Sequence, residues 1–173
     1  MGEHMAYDEQ KLIEYFYALK AVDLYHKELF GNDKDFEVPQ LFSQAIVKQV
    51  LKLQNYSGKG KIFDAEKSGR YYEIKATSSI SGTTTLNFKH KAHVLVWIRF
   101  YFQHSKFELK QLDGFFDMSE MNEFYTKEGN ENRRKNAKNL LKSSKRETVI
   151  LNYVKWKDSV KYKIHSVIED DKE

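Results

Sequence analysis

"FDAEKSGRYYEIKATSS", residues 63–79, is the stretch on which the fold turns. Two short strand-like runs, KIFDA (61–65) and YYEIKAT (71–77), flank a polar turn centred on Ser68-Gly69. Any even-length turn centred there sets Asp64 directly across from Glu73. Opposed side chains on a hairpin have Cβ atoms about 5 Å apart, and like charges in that relation destabilise the pair. Lys75 follows Glu73 by two residues, so it leaves the same face about 7 Å further along. A shared divalent cation would relieve the repulsion. Mg²⁺ is commonly held by one or two carboxylates, several waters and a phosphate. The competing reading is an ordinary surface hairpin with scattered charges.

Outward from the hairpin, the chain first reads helical. Residues 8–30 place Leu12, Ile13, Phe16, Leu19 and Val22 at helical spacing, and Gly31 is a natural stop. A polar turn, GNDKDFEV (31–38), leads to Pro39, suited to a helix first turn. A second helix is expected over 40–53, burying Leu41, Phe42, Ala45, Ile46 and Val50. QNYSGKGK (54–61) is loop-forming. After the hairpin, SSISGTTTLNFKHK (78–91) reads as a long Ser/Thr/Gly loop. HVLVWIRFYF (93–102) is the most apolar run and reads as a core strand, with KFELKQL (106–112) returning antiparallel to it. SEMNEFYTKE (119–128) reads as a short helix capped by Ser119, and residues 131–142 as another helix. ETVILNYV (147–154) is a further strand, and YKIHSVI (162–168) an edge strand. The expected class is α+β or α/β, with a mixed sheet flanked by helices.

Composition narrows the function classes. With 173 residues, 40% hydrophobic and 14% aromatic, a single domain with a proper core is expected over residues 6–173. The opening MGEHM, with a second Met at position 5, reads as cloning residue. The chain has no cysteine, which excludes disulfides and Cys-ligated zinc and agrees with a reducing cytoplasm. No apolar run reaches membrane-spanning length. The six histidines form no ligand cluster, since His90 and His93 leave a strand on opposite faces. No Gly-rich nucleotide cradle or Ser-His-Asp set is present.

Charge is concentrated. Residues 131–146 carry Arg133, Arg134, Lys135, Lys138, Lys142, Lys145 and Arg146 against one acid, Glu131, in a chain of net charge +4. A basic segment on a near-neutral body suits a polyanion. The plainer reading is a solvated helix face. Arginine paired with guanine O6 and N7 is the commonest specific base contact, whereas lysines neutralise phosphates. Arg133, Arg134 and Lys138 share one helix face, and Lys145 and Arg146 stand at the entry to the next strand. The loop adds Ser79, Ser81, Thr83, Thr84, Thr85, Asn87, Lys89 and Lys91, hydrogen-bonding or cationic groups that suit the same kind of polyanionic partner, DNA included, the plainer reading being a flexible solvated loop.

The spacing D-x8-E-x-K matches the PD-(D/E)xK nuclease motif. The chain resembles the small type II restriction endonucleases, and most the family that cuts the interrupted sequence GCNGC. The resemblance runs through VPQLFSQAIV (38–47), FDAEKSGRYYEIKATSS, LVWIRF (95–100) and KSSKRETVILNYV (142–154), with EIKATSS its most specific part. It implies a restriction-endonuclease-like core in a prokaryotic cytoplasmic protein. It implies that Asp64 and Glu73, with Ile74 between Glu73 and Lys75, hold Mg²⁺, and that Lys75 completes the triad. Many such nucleases carry a Glu on the preceding helix. Gln44 stands there instead, able to orient a metal-bound water but not to add charge. The expected activity is sequence-specific double-strand cleavage of DNA by a homodimer. The rivals are a junction-resolving nuclease of the same fold and a non-catalytic DNA-binding protein on that fold.

Overall fold

The computed structural model describes residues 7–60, 62–79, 83–87, 92–113, 148–152 and 161–166. Among these residues two helices, α1 (Glu9–Phe30) and α2 (Gln40–Leu51), precede seven strands. These are β1 (Ala65–Lys67), β2 (Arg70–Thr77), β3 (Thr83–Asn87), β4 (Val94–Tyr101), β5 (Lys106–Asp113), β6 (Thr148–Asn152) and β7 (Lys161–Ser166). Five strands form a mixed sheet in the order β1-β2-β4-β5-β7, and β3 pairs with β6 in a separate ribbon. Among the described strands only β2 and β4 run parallel. The others pair antiparallel. The fold is α+β.

The start of α1 follows from Asp8, whose side chain accepts the Lys11 N–H at 3.1 Å. Gly31, at φ +106°, ends it, in a left-handed region where a side chain is strained. Pro39 is the N-cap of α2, one position ahead of its first turn, and Lys52 closes the helix. Two expected core positions are corrected. Val22 is 45% exposed, and the next residue, Asp23, is buried in its place. The Asp23 carboxylate accepts from Lys27 at 3.0 Å and from Gln103 at 2.9 Å, which tethers α1 to the short 3₁₀ turn after β4. On α2, Leu41 is 83% exposed and Val47 is buried instead. The helix meets the sheet through Phe42, Ile46 and Val47, a face rotated away from Leu41.

The core lies between the helices and one face of the sheet. Phe16, Phe42, Ile46 and Val47 pack against Ile74, Val96, Ile98 and Phe100. Phe100 stacks on Phe102 at 5.2 Å, and both rings touch Phe16. β4 is buried along nearly its whole length, as its apolar run requires. Its other face carries Trp97 and Arg99, and register sets Arg99 across from Glu108. Arg99, Glu108 and Lys110 are all buried.

Two strand expectations shift. The first hairpin strand occupies Ala65–Lys67 rather than 61–65. The loop expected over 78–91 contains a strand, Thr83–Asn87, whose Thr-rich run pairs with β6. Residues 119–128 and 131–142, both expected to be helical, lie outside the described residues. Among the described residues no helix is long and apolar enough to cross a membrane.

Candidate functional site

The hairpin turns on Ser68 and Gly69, both at positive φ (51° and 75°). That is the signature of a two-residue type I′ turn, whose twist matches the strands it joins. The register Lys67↔Arg70, Glu66↔Tyr71, Ala65↔Tyr72 is the one that the sequence predicts. It ends at Ala65. The Asp64 N–H donates to the Tyr72 carbonyl at 3.0 Å, one residue out of step, so Asp64 leaves the ladder instead of pairing with Glu73. The expectation of two carboxylates in direct cross-strand opposition is corrected accordingly.

Each acid has its own protein partners. Asp64 Oδ2 accepts the Ile74 N–H at 2.7 Å, and Oδ1 accepts from Gln44 Nε2 at 3.0 Å. Glu73 Oε1 is 3.1 Å from Lys75 Nζ. The repulsion implied by the sequence is thus relieved within the protein. α2 delivers Gln44 to the carboxylate. Burial holds the Asp64 carboxyl above its ordinary range, while the Ile74 N–H and the ammonium groups of Lys75 and Lys48 oppose that rise.

Lys48 was not anticipated. It lies one helical turn beyond Gln44, is 7% exposed, and donates to Asn55 Oδ1 at 2.9 Å. Burial pulls its pKa down, and the Asp64 carboxylate works against this. The signal available in the sequence was a lysine four residues after Gln44, inside an otherwise apolar stripe.

A cavity of about 520 Å³ opens beside these groups. It is lined by Ile74 to Ser79 of β2 and its exit, by Asp35 to Val38 of the interhelical link, and by Gln40 and Ser43 of α2. The Ser78 hydroxyl donates to the Phe36 carbonyl at 2.7 Å and ties the link to the strand exit. Ser79 is buried, and its N–H donates to Thr77 Oγ1. It lines the cavity rather than an outer surface. Thr83, Thr84, Thr85 and Asn87 lie on β3 in the separate ribbon. Ser81, Lys89, Lys91, Arg133, Arg134, Lys138, Lys145 and Arg146 lie outside the described residues. His93 has a structural task. Its Nδ1 accepts the Tyr71 N–H and its own N–H donates to the Tyr71 carbonyl, both at 2.9 Å.

Among the described residues no group of three or more His, Cys, Asp or Glu converges as a metal cage. Two carboxylates with a main-chain carbonyl still fit a hard cation that keeps waters and takes a phosphate. A bonded carboxylate retains free lone pairs, having about four acceptor positions. Asp64, Glu73 and the Ile74 carbonyl would be the protein ligands. No protein-family model matches the chain, and neither a curated protein nor a solved structure matches it significantly.

Proposed function

We propose that the chain is a Mg²⁺-dependent DNA endonuclease with a restriction-endonuclease-like core, cutting both strands at a short interrupted palindrome such as GCNGC. One observation carries the reading. The hairpin and α2 set two groups side by side, Asp64 held by Gln44 and the Ile74 N–H, and Glu73 paired with Lys75, whose charge also acts on Asp64, next to a cavity that Lys75 lines. The bound magnesium would polarise a phosphoryl oxygen and lower the pKa of an attacking water. Asp64 contributes a fixed, partly desolvated carboxylate. Gln44 orients that carboxylate and has its own carbonyl oxygen available to a water. Lys75 holds Glu73 in place and presents a positive charge at the cavity wall. The basic residues of 131–146 are assigned to DNA, lysines to phosphates and arginines to bases.

Substitution tests the reading. Asp64→Ala and Lys75→Ala should each remove most Mg²⁺-dependent cleavage of DNA while retaining the melting behaviour of the fold. Asp64→Ala cleaving at a rate near that of the unaltered protein would remove the site from the mechanism.

A further inference from the structure

Beyond the point where β1 stops, one edge of β2 has no neighbouring strand among the described residues, because the β1 register ends at Ala65↔Tyr72. Hydrogen bonds fix which residues point to that edge. The Tyr72 carbonyl accepts from Asp64, and the Ile74 N–H donates to the Asp64 carboxylate. The Tyr71 carbonyl instead accepts from His93, just ahead of β4. Main-chain groups alternate sides along a strand, and a residue's N–H and C=O point the same way. The open edge therefore presents, in order, the Ile74 C=O, the Ala76 N–H and the Ala76 C=O. Among the described residues the Ala76 N–H has no protein partner. Ile74, Lys75 and Ala76 all line the cavity. The Ala76 methyl packs partly against the core, so the side chain of Ala76 itself does not cover the edge.

We propose that the Ala76 N–H, beside the Lys75 ammonium, binds a phosphate oxygen of the substrate strand, making residues 74–77 a main-chain groove for the DNA backbone. The proposal rests on the nuclease reading above. A neutral N–H bonded to an anionic oxygen is a charge-assisted hydrogen bond, stronger than a neutral one. The edge offers an acceptor and then a donor two residues apart, one suited to a cation and the other to a phosphate oxygen. Asp35 and Glu37 also line the cavity and disfavour an anion on its own. The groove therefore takes a phosphate only together with a divalent cation, and DNA binding should weaken when the cation is chelated.

Ala76→Pro tests this. Proline removes the N–H, and its φ suits an edge strand whose donor faces away from the ladder. Lys75 is already extended, as a residue before proline must be. Binding to a short duplex is followed by fluorescence anisotropy in Ca²⁺ across a salt series, with Ala76→Gly as the variant that keeps the N–H. The proline variant should bind about 10- to 100-fold more weakly, the range for one hydrogen bond to a charged group. Its salt slope should be unchanged, because a neutral donor displaces no counterion. In a scan of duplexes each carrying one methylphosphonate, one position should weaken the unaltered protein and leave the proline variant no weaker than before. Lactate at position 76, which replaces the amide by an ester, removes the same N–H without a ring and decides the matter should the proline variant melt early. Unchanged affinity in the N–H-deleted protein, or equal penalties at every methylphosphonate position, overturns the groove. Failure of the unaltered protein to bind any duplex in Ca²⁺ overturns the nuclease reading itself, and the groove with it.

Discussion

Asp64 has a stability consequence separable from its proposed catalytic role. Its carboxyl is held above the usual value of 3.8, chiefly by burial. A raised folded-state pKa means that the folded chain binds the proton more tightly than the unfolded one. The resulting stabilisation is full below about pH 4 and is lost as pH rises through the folded value. At neutral pH without metal, the ionised group therefore opposes folding. Asp64→Asn keeps an oxygen for the Ile74 N–H, and a flipped Gln44 can accept from its amide. It should abolish cleavage yet melt no lower than the unaltered protein in EDTA at pH 8. It should also flatten the decline in stability from pH 4 upward. A clear loss of melting temperature at pH 8 would show that the carboxylate's hydrogen bonds outweigh its desolvation. Gln44→Leu removes a partner of a proposed metal ligand. Loss of such a group typically costs about 10- to 100-fold in metal affinity or activity. Calorimetric titration of Mn²⁺ should show that loss, and unchanged affinity would reduce Gln44 to packing. The residue types of the site were legible because D-x8-E-x-K requires only a turn centre and a period of two. Lys48 was not legible, because a lysine in an apolar stripe reads as a solvated residue until Asn55 and Asp64 are seen beside it.

At the level of elements, the turn sets the register and the register aims the site. Gly69 has open space where a Cβ would stand, so Gly69→Ala tests backbone strain alone. It should destabilise the fold by about 1–2 kcal/mol, the cost of a left-handed non-glycine residue. Urea titration gives this number directly, and a change near zero would mean that the hairpin tolerates another turn. The hairpin was readable because Ser-Gly between two alternating runs has one simple solution. The slip at Asp64 was not, since pattern arguments extend a ladder until a particular hydrogen bond ends it. The buried strand β4 and its antiparallel partner β5 announced themselves by apolar content and spacing. β3 did not, because a Thr/Ser/Gly run looks like a loop until its partner, about 65 residues away, is known. The faces of α1 and α2 were legible through Phe16, Leu19, Phe42, Ala45 and Ile46, all buried, but the edge positions Val22 and Leu41 were misplaced. Helical periodicity locates a stripe only to within its own width, and the Asp23–Lys27–Gln103 cluster makes a buried acid tolerable where valine was expected.

For the whole molecule, the proposed cutting of both strands would need two sites, and each chain carries one hairpin site. A two-fold dimer on an interrupted palindrome is the simplest arrangement, with the unspecified central base pair on the dyad. α1 offers surface for it. Tyr15, Val22, Leu24, Tyr25, Leu29 and Phe30 are all exposed on that one helix, whereas Tyr15 also stacks on Phe42 at 4.7 Å. Sedimentation of the Ca²⁺ complex on a short duplex should show two protomers per duplex. One protomer per duplex, with cleavage of an asymmetric site, would remove both the dimer and the target class. The central claim is tested most directly by incubating plasmid DNA with the protein and Mg²⁺ and sequencing the new ends, with Asp64→Ala and an EDTA reaction alongside. Ends at one recurring interrupted palindrome, absent from both controls, are the predicted result. Cleavage confined to branched DNA, or no cleavage with binding retained, would contradict it.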